Sequence, residues 1–234
     1  SLAAGMVQAV ADGASVHITD CLVKGSITDN ADESARYMAG FVFYNDGTYT
    51  LTRCLYVGKN NVTNNGYSYT FGTDDNGATF TDCYYLNTCG KAQGKQVTAE
   101  RLKSGEMAKL LQGDRTENVW GQTLGTDTIP QPTTNATKRV YEVKFTYNGE
   151  VKAMRYANRG GHVSLPTVQE FLGEAYNPAN TYKLIFDGDF SASTPVNSDR
   201  TVAVVVAESY EIATKADWQA FCNRVNDGPP STPS

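Results

Sequence analysis

Histidine is scarce in this chain of 234 residues: there are two, His17 and His162. No Ser-His-Asp order, no His-Glu-x-x-His run and no Gly-rich phosphate loop is present, so the usual signatures of hydrolases, zinc proteases and nucleotide enzymes are missing. Cysteine is sparse and unpaired in pattern. The five residues Cys21, Cys54, Cys83, Cys89 and Cys222 are odd in number, widely spaced and without a Cys-x-x-Cys pair. That excludes a disulfide framework and argues against a zinc site. Basic residues do not dominate: 20 Lys and Arg face 25 Asp and Glu, for a net charge of −5. Nucleic acid, which demands a basic footprint, is therefore not an expected partner. No apolar run approaches a membrane span, so no membrane insertion is expected. The chain opens at Ser1-Leu2-Ala3-Ala4-Gly5, inside a repeat and with no leader, as expected of a fragment of a longer protein.

What the chain does have is a repeat. Asp12-Gly13 … Ile18-Thr19-Asp20-Cys21, Asp46-Gly47 … Leu51-Thr52-Arg53-Cys54 and Asn76-Gly77 … Phe80-Thr81-Asp82-Cys83 share one local order. The cysteines lie 33 and then 29 residues apart by their numbering. A period of that size marks stacked units that complete their cores only against neighbours. Thr, Tyr and Val fill the runs, and Asp-Gly or Asn-Gly precedes them, so the units are built from short strands and tight turns. The expected fold is mainly β: a short right-handed parallel β-helix (β-solenoid). Cys21, Cys54 and Cys83 would stack as small buried hydrophobes. Ile18, Leu51 and Phe80 would form a second ladder three residues earlier. Residues an odd number apart cannot share a face of a flat strand. One ladder therefore faces outward, or a bend separates the two. Cys83 and Cys89 are the one pair close in sequence, and a disulfide between them competes with two free thiols.

Residues 91–137 change character. Leu102, Met107, Leu110 and Leu111 have helical spacing, with Thr98 as N-cap, Gly113 as stop and Gly105 weakening the interior. This helix and Trp120 are expected to cap the open last coil, because a solenoid end leaves apolar surface in water. Pro130 to Thr137 reads as a linker by composition. Residues 138–208 read as strand, strand, helix, strand, strand, with Asn148-Gly149 turning the first hairpin: a small ββαββ, β-grasp-like domain. Residues 209–234 read as a terminal helix and a disordered tail. Trp218, Phe221, Cys222 and Val225 lie on one face of that helix, Thr214 and Asp217 box its start, and Gly228-Pro229 stops it. The domains are thus 1–129, a linker at 130–137, 138–208, and 209–234.

Two resemblances follow from these residues. Gly40-Phe41-Val42-Phe43, Leu51-Thr52-Arg53-Cys54 and Val57-Gly58 resemble the GLUG-type repeats of bacterial surface proteins over about residues 1–90. The segment Trp120-Gly121-Gln122 … Leu124-Gly125 … Asp127 … Pro130 is similar to the one that closes such repeat regions. Gly161-His162-Val163-Ser164-Leu165-Pro166, with Phe190 … Thr194-Pro195-Val196 and Asp199-Arg200-Thr201-Val202, resembles the internalin-type B-repeat, although Ile185-Phe186-Asp187-Gly188 departs from its usual Gly-Trp. The resemblance implies a bacterial, secreted or cell-surface protein used in adhesion.

No catalytic residue, metal site or cofactor is assigned. Asp74-Asp75-Asn76-Gly77 and Asp187-Gly188-Asp189 bring oxygens together without the spacing of a calcium loop, and turn formation explains both. Asp20, Arg53 and Asp82 precede the ladder cysteines and read as a solvated, salt-bridged column. Fourteen tyrosines are present. Tyr49, Tyr56, Tyr67 and Tyr69 are the candidate binding residues, since exposed rings on strands can stack on sugars; ordinary strand propensity is the plainer account. The expected partner is a host or environmental glycan or a surface protein, bound without catalysis. The alternatives are a carbohydrate-active β-helix enzyme and a purely structural stalk.

Overall fold

In the computed structural model the described residues are 2–63, 65–73, 77–178, 180–209 and 212–227. The expected stop at Gly228-Pro229 and the disordered tail at Ser231 to Ser234 fall outside them, as do Asp74, Asp75 and Asn76. The chain divides into two units. One holds residues 1–142, 156–161 and 196–198; the other holds 143–155, 162–195 and 199–234.

The first unit is made of short strands that pair in parallel with their own repeats. Ser15–Thr19, Thr48–Thr52 and Thr79–Thr81 lie side by side, and Ile18, Leu51 and Phe80 share one register. Leu22–Val23, Leu55–Tyr56, Tyr84–Tyr85 and Lys95–Gln96 form a second row. Leu2–Ala4 pairs with Tyr37–Ala39, and Val7–Val10 with Val42–Asn45. Parallel partners displaced by about one repeat are what sequence periodicity demands, because equivalent residues then stack and bury equivalent faces.

The two ladders both face inward. Ile18, Leu51, Cys54 and Cys83 are buried in one core with Val10, Met38, Phe41 and Phe71, and Cys21 and Phe80 pack against it half-buried. The bend that makes this possible is Asp20, Arg53 and Asp82, all left-handed with φ of 56°, 51° and 49°. One left-handed residue between Thr and Cys turns the chain, so positions three apart return to the same side. The ladder bonds run through the bend: Asp20 N–H donates to the Thr52 carbonyl, and Leu55 N–H to the Cys21 carbonyl. Gly40 explains the Gly of the Gly-Phe-Val segment. A Cβ there would stand 2.0 Å from the Thr70 carbonyl oxygen of the next layer.

Leu22, Leu55 and Tyr84 follow the cysteines and point the other way. This outer row is covered by two short helices, α1 (Ala99–Lys103) and α2 (Glu106–Gln112). Leu102, Met107, Leu111 and Trp120 bury against Leu55 and Tyr84, with Leu22 at the edge. Trp120 is fully buried, but on the side of the stack and not over its last coil. The physical reason is the bend: it turns a row of large apolar residues outward, and that row needs cover. Leu110 is left exposed. Thr98 caps α1, Gly105 (φ 94°) separates the helices, and Gly113 ends α2. Residues 130–137 belong to this unit, with Gln131–Pro132 antiparallel to Trp120–Gly121.

Most of a four-stranded sheet falls in the second unit, in the order Glu150–Asn158, Val140–Tyr147, Arg200–Ser209, Thr181–Phe186, with Val140–Glu142 and Tyr156–Asn158 counted in the first. Val140–Tyr147 runs parallel to Arg200–Ser209, and Thr181–Phe186 antiparallel to it. Asn148 and Gly149 both have positive φ, as a tight two-residue hairpin turn requires. Helix α3 (Val168–Leu172) opens on a capping box of Thr167 and Glu170. Phe145 packs edge-on to Phe186 and Phe190, and Phe171 to Tyr147. Helix α4 (Lys215–Asp227) starts at Thr214, whose hydroxyl accepts from the Asp217 N–H while Asp217 accepts from the Thr214 N–H. Trp218 and Val225 of its apolar stripe are exposed.

Candidate functional site

The four candidate tyrosines do not form one face. Tyr49 and Tyr56 are fully buried, which corrects the expectation that they present rings to a ligand. Tyr49 lies two residues before inward-facing Leu51, and Tyr56 two after inward-facing Cys54, so the period of two places both in the core. The Tyr49 hydroxyl donates to the Thr73 carbonyl, and the Tyr56 hydroxyl accepts from Asn60 Nδ2 at 3.2 Å. Burial pushes the Tyr56 phenol up from its ordinary value. Tyr69 is half-buried and bridges backbone to Ala39 on one side and Lys91 on the other.

Tyr67 alone of the four is open, at 52% exposure. Its neighbour is Tyr37, which the sequence pattern does not single out. Leu2 pairs with Tyr37 and Ala39 with Tyr69, so Leu2, Tyr37 and Tyr67 are equivalent positions in successive layers. The Tyr37 and Tyr67 ring centroids stand 5.3 Å apart with a 41° tilt, and Phe43 meets Tyr37 edge-on at 6.3 Å. The signal that points to Tyr37 is the register of Leu2–Ala4 against Tyr37–Ala39 and of Ala39 against Tyr69.

The ladder cysteines form a stacked thiol row. All five cysteines are free, including Cys83 and Cys89. Each ladder sulfur donates to the carbonyl two residues before it: Cys21 to Thr19 at 3.3 Å, Cys54 to Thr52 at 3.5 Å and Cys83 to Thr81 at 3.4 Å. Cys54 Sγ also reaches the Ile18 carbonyl at 3.7 Å, and Cys83 Sγ the Leu51 carbonyl at 3.4 Å. The contact with Cys83 and burial push the Cys54 thiol up, which keeps it protonated and inert.

The charged column is structural at its first member. Asp20 Oδ1 accepts from Trp120 Nε1 at 2.8 Å, Asp20 Oδ2 pairs with Arg115 Nη1 at 2.7 Å, and Arg53 Nε lies 3.6 Å from Oδ1. Asp82 faces Lys95 at 3.9 Å. His17 is exposed and shares a 2.8 Å hydrogen bond with the Thr50 hydroxyl. Among the described residues no group of three His, Cys, Asp or Glu could hold a metal ion. Asp187–Asp189 is a kinked turn, with Gly188 and Asp189 left-handed.

A shallow depression of about 580 Å³ lies on the first unit, with Lys59, Asn60, Asn87, Thr88 and Gln96 around Val62. Asn60 Nδ2 is already engaged with the Tyr56 hydroxyl and, at 2.7 Å, the Thr88 carbonyl, and Asn87 Nδ2 with the Gly58 carbonyl. Among the described residues no helix is long and apolar enough to cross a membrane. No protein-family model, no curated protein and no solved structure matches this chain.

Proposed function

We propose that this chain is a non-enzymatic binding unit displayed outside the cell or on its surface. Its first unit is a short right-handed β-solenoid and its second a β-grasp-like module, as the resemblance to GLUG-type repeats and the internalin-type B-repeat implies. The ligand is a host or environmental glycan, taken up on the outer aromatic ladder. The observation that carries this reading is the pair Tyr37 and Tyr67, 5.3 Å apart on adjacent parallel layers. Two tyrosine rings packed 5.3 Å apart at a 41° tilt, with Tyr67 open to solvent, offer an apolar patch with a polar hydroxyl edge, a combination that suits a sugar ring. Tyr49 and Tyr56 are buried and serve the core. Binding at one such platform is weak, and repeated copies raise it through avidity.

A glycan array read with the wild-type chain and with Tyr37→Ala/Tyr67→Ala tests this. Retention by the wild type and its loss in the double variant, with an unchanged circular dichroism spectrum, is the expected result. Retention that survives both changes overturns the platform. Release of reducing sugar from any array polysaccharide overturns the non-enzymatic reading.

A further inference from the structure

The second unit carries a concavity of its own, with a volume of about 530 Å³. It lies between the start of α3 and the strand Thr181–Phe186, with Val168, Gln169, Tyr176, Asn180, Thr181 and Tyr182 around it. Tyr176 follows the short turn Gly173–Ala175 after α3, and Tyr182 is paired with Glu208 of the neighbouring strand. Both tyrosines are half-buried, and their ring centroids stand 5.8 Å apart at a tilt of 37°. Rings at that separation are in contact, so they make one bent apolar surface and not two separate walls.

Tyr182 is held by its hydroxyl end. The oxygen accepts from the Asn177 N–H at 3.3 Å and from Asn180 Nδ2 at 3.4 Å, and Asn180 Nδ2 also donates to Glu208 Oε1 at 2.7 Å. A phenol oxygen whose acceptor positions are taken still has its own proton to give. Gln169 is exposed, and its side-chain amide bonds to nothing among the described residues, so it offers one donor group and one acceptor. Thr167, by contrast, is spent in the capping box with Glu170.

These groups narrow the ligand by chemistry. No Lys, Arg, Asp or Glu lines the concavity, so it supplies no counter-charge to an ion, and Glu208 is already engaged by Asn180. A quaternary ammonium would need rings set apart around a gap, and these two touch. A purely apolar ligand would leave the Gln169 amide and the Tyr182 proton unpaired. An apolar face rimmed with neutral hydroxyls satisfies all three features. We infer that this concavity is a binding site for a neutral saccharide. One pyranose ring rests on Tyr176 and Tyr182, and its hydroxyls pair with the Gln169 amide and the Tyr182 O–H. The site uses a different unit and different residues from the Tyr37–Tyr67 pair, and it stands whether or not that pair binds a glycan.

Nuclear magnetic resonance titration of the full chain with cellobiose, lactose and mannobiose tests it, with glucuronate and tetramethylammonium as charged controls. The expected result is saturable shifts of the Gln169 and Asn180 side-chain amides with at least one neutral disaccharide and none with the controls. Tyr182→Ala should weaken that binding at least ~10-fold. Gln169→Ala, a change at an exposed side chain, should weaken it too and serves as the second variant if Tyr182→Ala loses its native circular dichroism spectrum. Tyr37→Ala/Tyr67→Ala should leave these shifts unchanged, which separates this site from the ring pair of the first unit. No shift at Gln169 and Asn180 with any of the three disaccharides, saturation by either charged control, or sugar binding that survives Gln169→Ala undiminished would each overturn the inference.

Discussion

Trp120 and Asp20 are 100 positions apart in sequence, yet the indole Nε1 donates to the Asp20 carboxylate at 2.8 Å. Asp20 is at once the left-handed bend of the first layer and the acceptor that ties the helical segment to it. Arg115 completes the tie: it pairs with Asp20 and donates to the Leu111 and Gln112 carbonyls at the end of α2.

Asp20→Ala should therefore destabilise the first unit by ~2–4 kcal/mol, combining lost hydrogen bonds to a charged group with a non-Gly residue held at positive φ. Asp20→Asn tolerates the left-handed backbone and should cost less. Urea unfolding monitored by Trp fluorescence measures both, and equal losses for Ala and Asn would place the whole effect in the ion pair.

Trp120→Ala should cost ~3–5 kcal/mol, since a fully buried indole is removed from among Leu55, Tyr84, Leu102 and Met107. Trp120→Phe keeps most of the volume and loses only the donor to Asp20. A melting temperature unchanged in the Ala variant would show that the helical cover contributes nothing to the stack.

Gly40→Ala should destabilise by ~1–3 kcal/mol or more, because the new methyl meets the Thr70 carbonyl at 2.0 Å. Gly25→Ala has open space around its Cβ and should be close to neutral. Parallel thermal denaturation of the two variants gives the contrast, and similar behaviour would contradict the close approach of the layers.

Native thiol labelling should modify Cys21 and Cys222, which are half-buried, well before Cys54, Cys83 and Cys89. Burial pushes the Cys89 thiol from 9.0 up to about 11. The folded state thus holds a proton that the unfolded state releases first. The stabilisation is fully present below about pH 9 and falls as pH rises toward 11. Urea midpoints measured across that window should decline, and Cys89→Ala should flatten part of that decline. An equal decline in the variant would assign it to buried phenols such as Tyr56, whose pKa burial also raises.

Features set by neighbours within a few residues are legible in the sequence itself. The Thr98 cap, the Gly105 break and the Gly113 stop bound α1 and α2 as the spacing predicts. Asn148-Gly149 turns the hairpin, and Thr214 with Asp217 boxes α4. Each depends on backbone groups one turn away, so composition and spacing determine it. The repeat is legible too, because equivalent residues must bury equivalent faces when layers stack.

What tertiary structure alone decided is which way each face points. Tyr49, Tyr56 and Tyr67 have the same intrinsic preference for strands, and their chemistry does not separate them. The left-handed turn at Asp20, Arg53 and Asp82 sets the phase of the alternation. That turn is stabilised by bonds to the neighbouring layer, such as Asp20 N–H to the Thr52 carbonyl. It sends Cys54 and Tyr56 into the core and Leu55 out under Trp120. The Tyr37–Tyr67 ring pair likewise forms only once residues 30 apart stand in adjacent layers. Local sequence determined the elements, and pairing between layers determined their faces, because a period of two carries no sign until a partner fixes it.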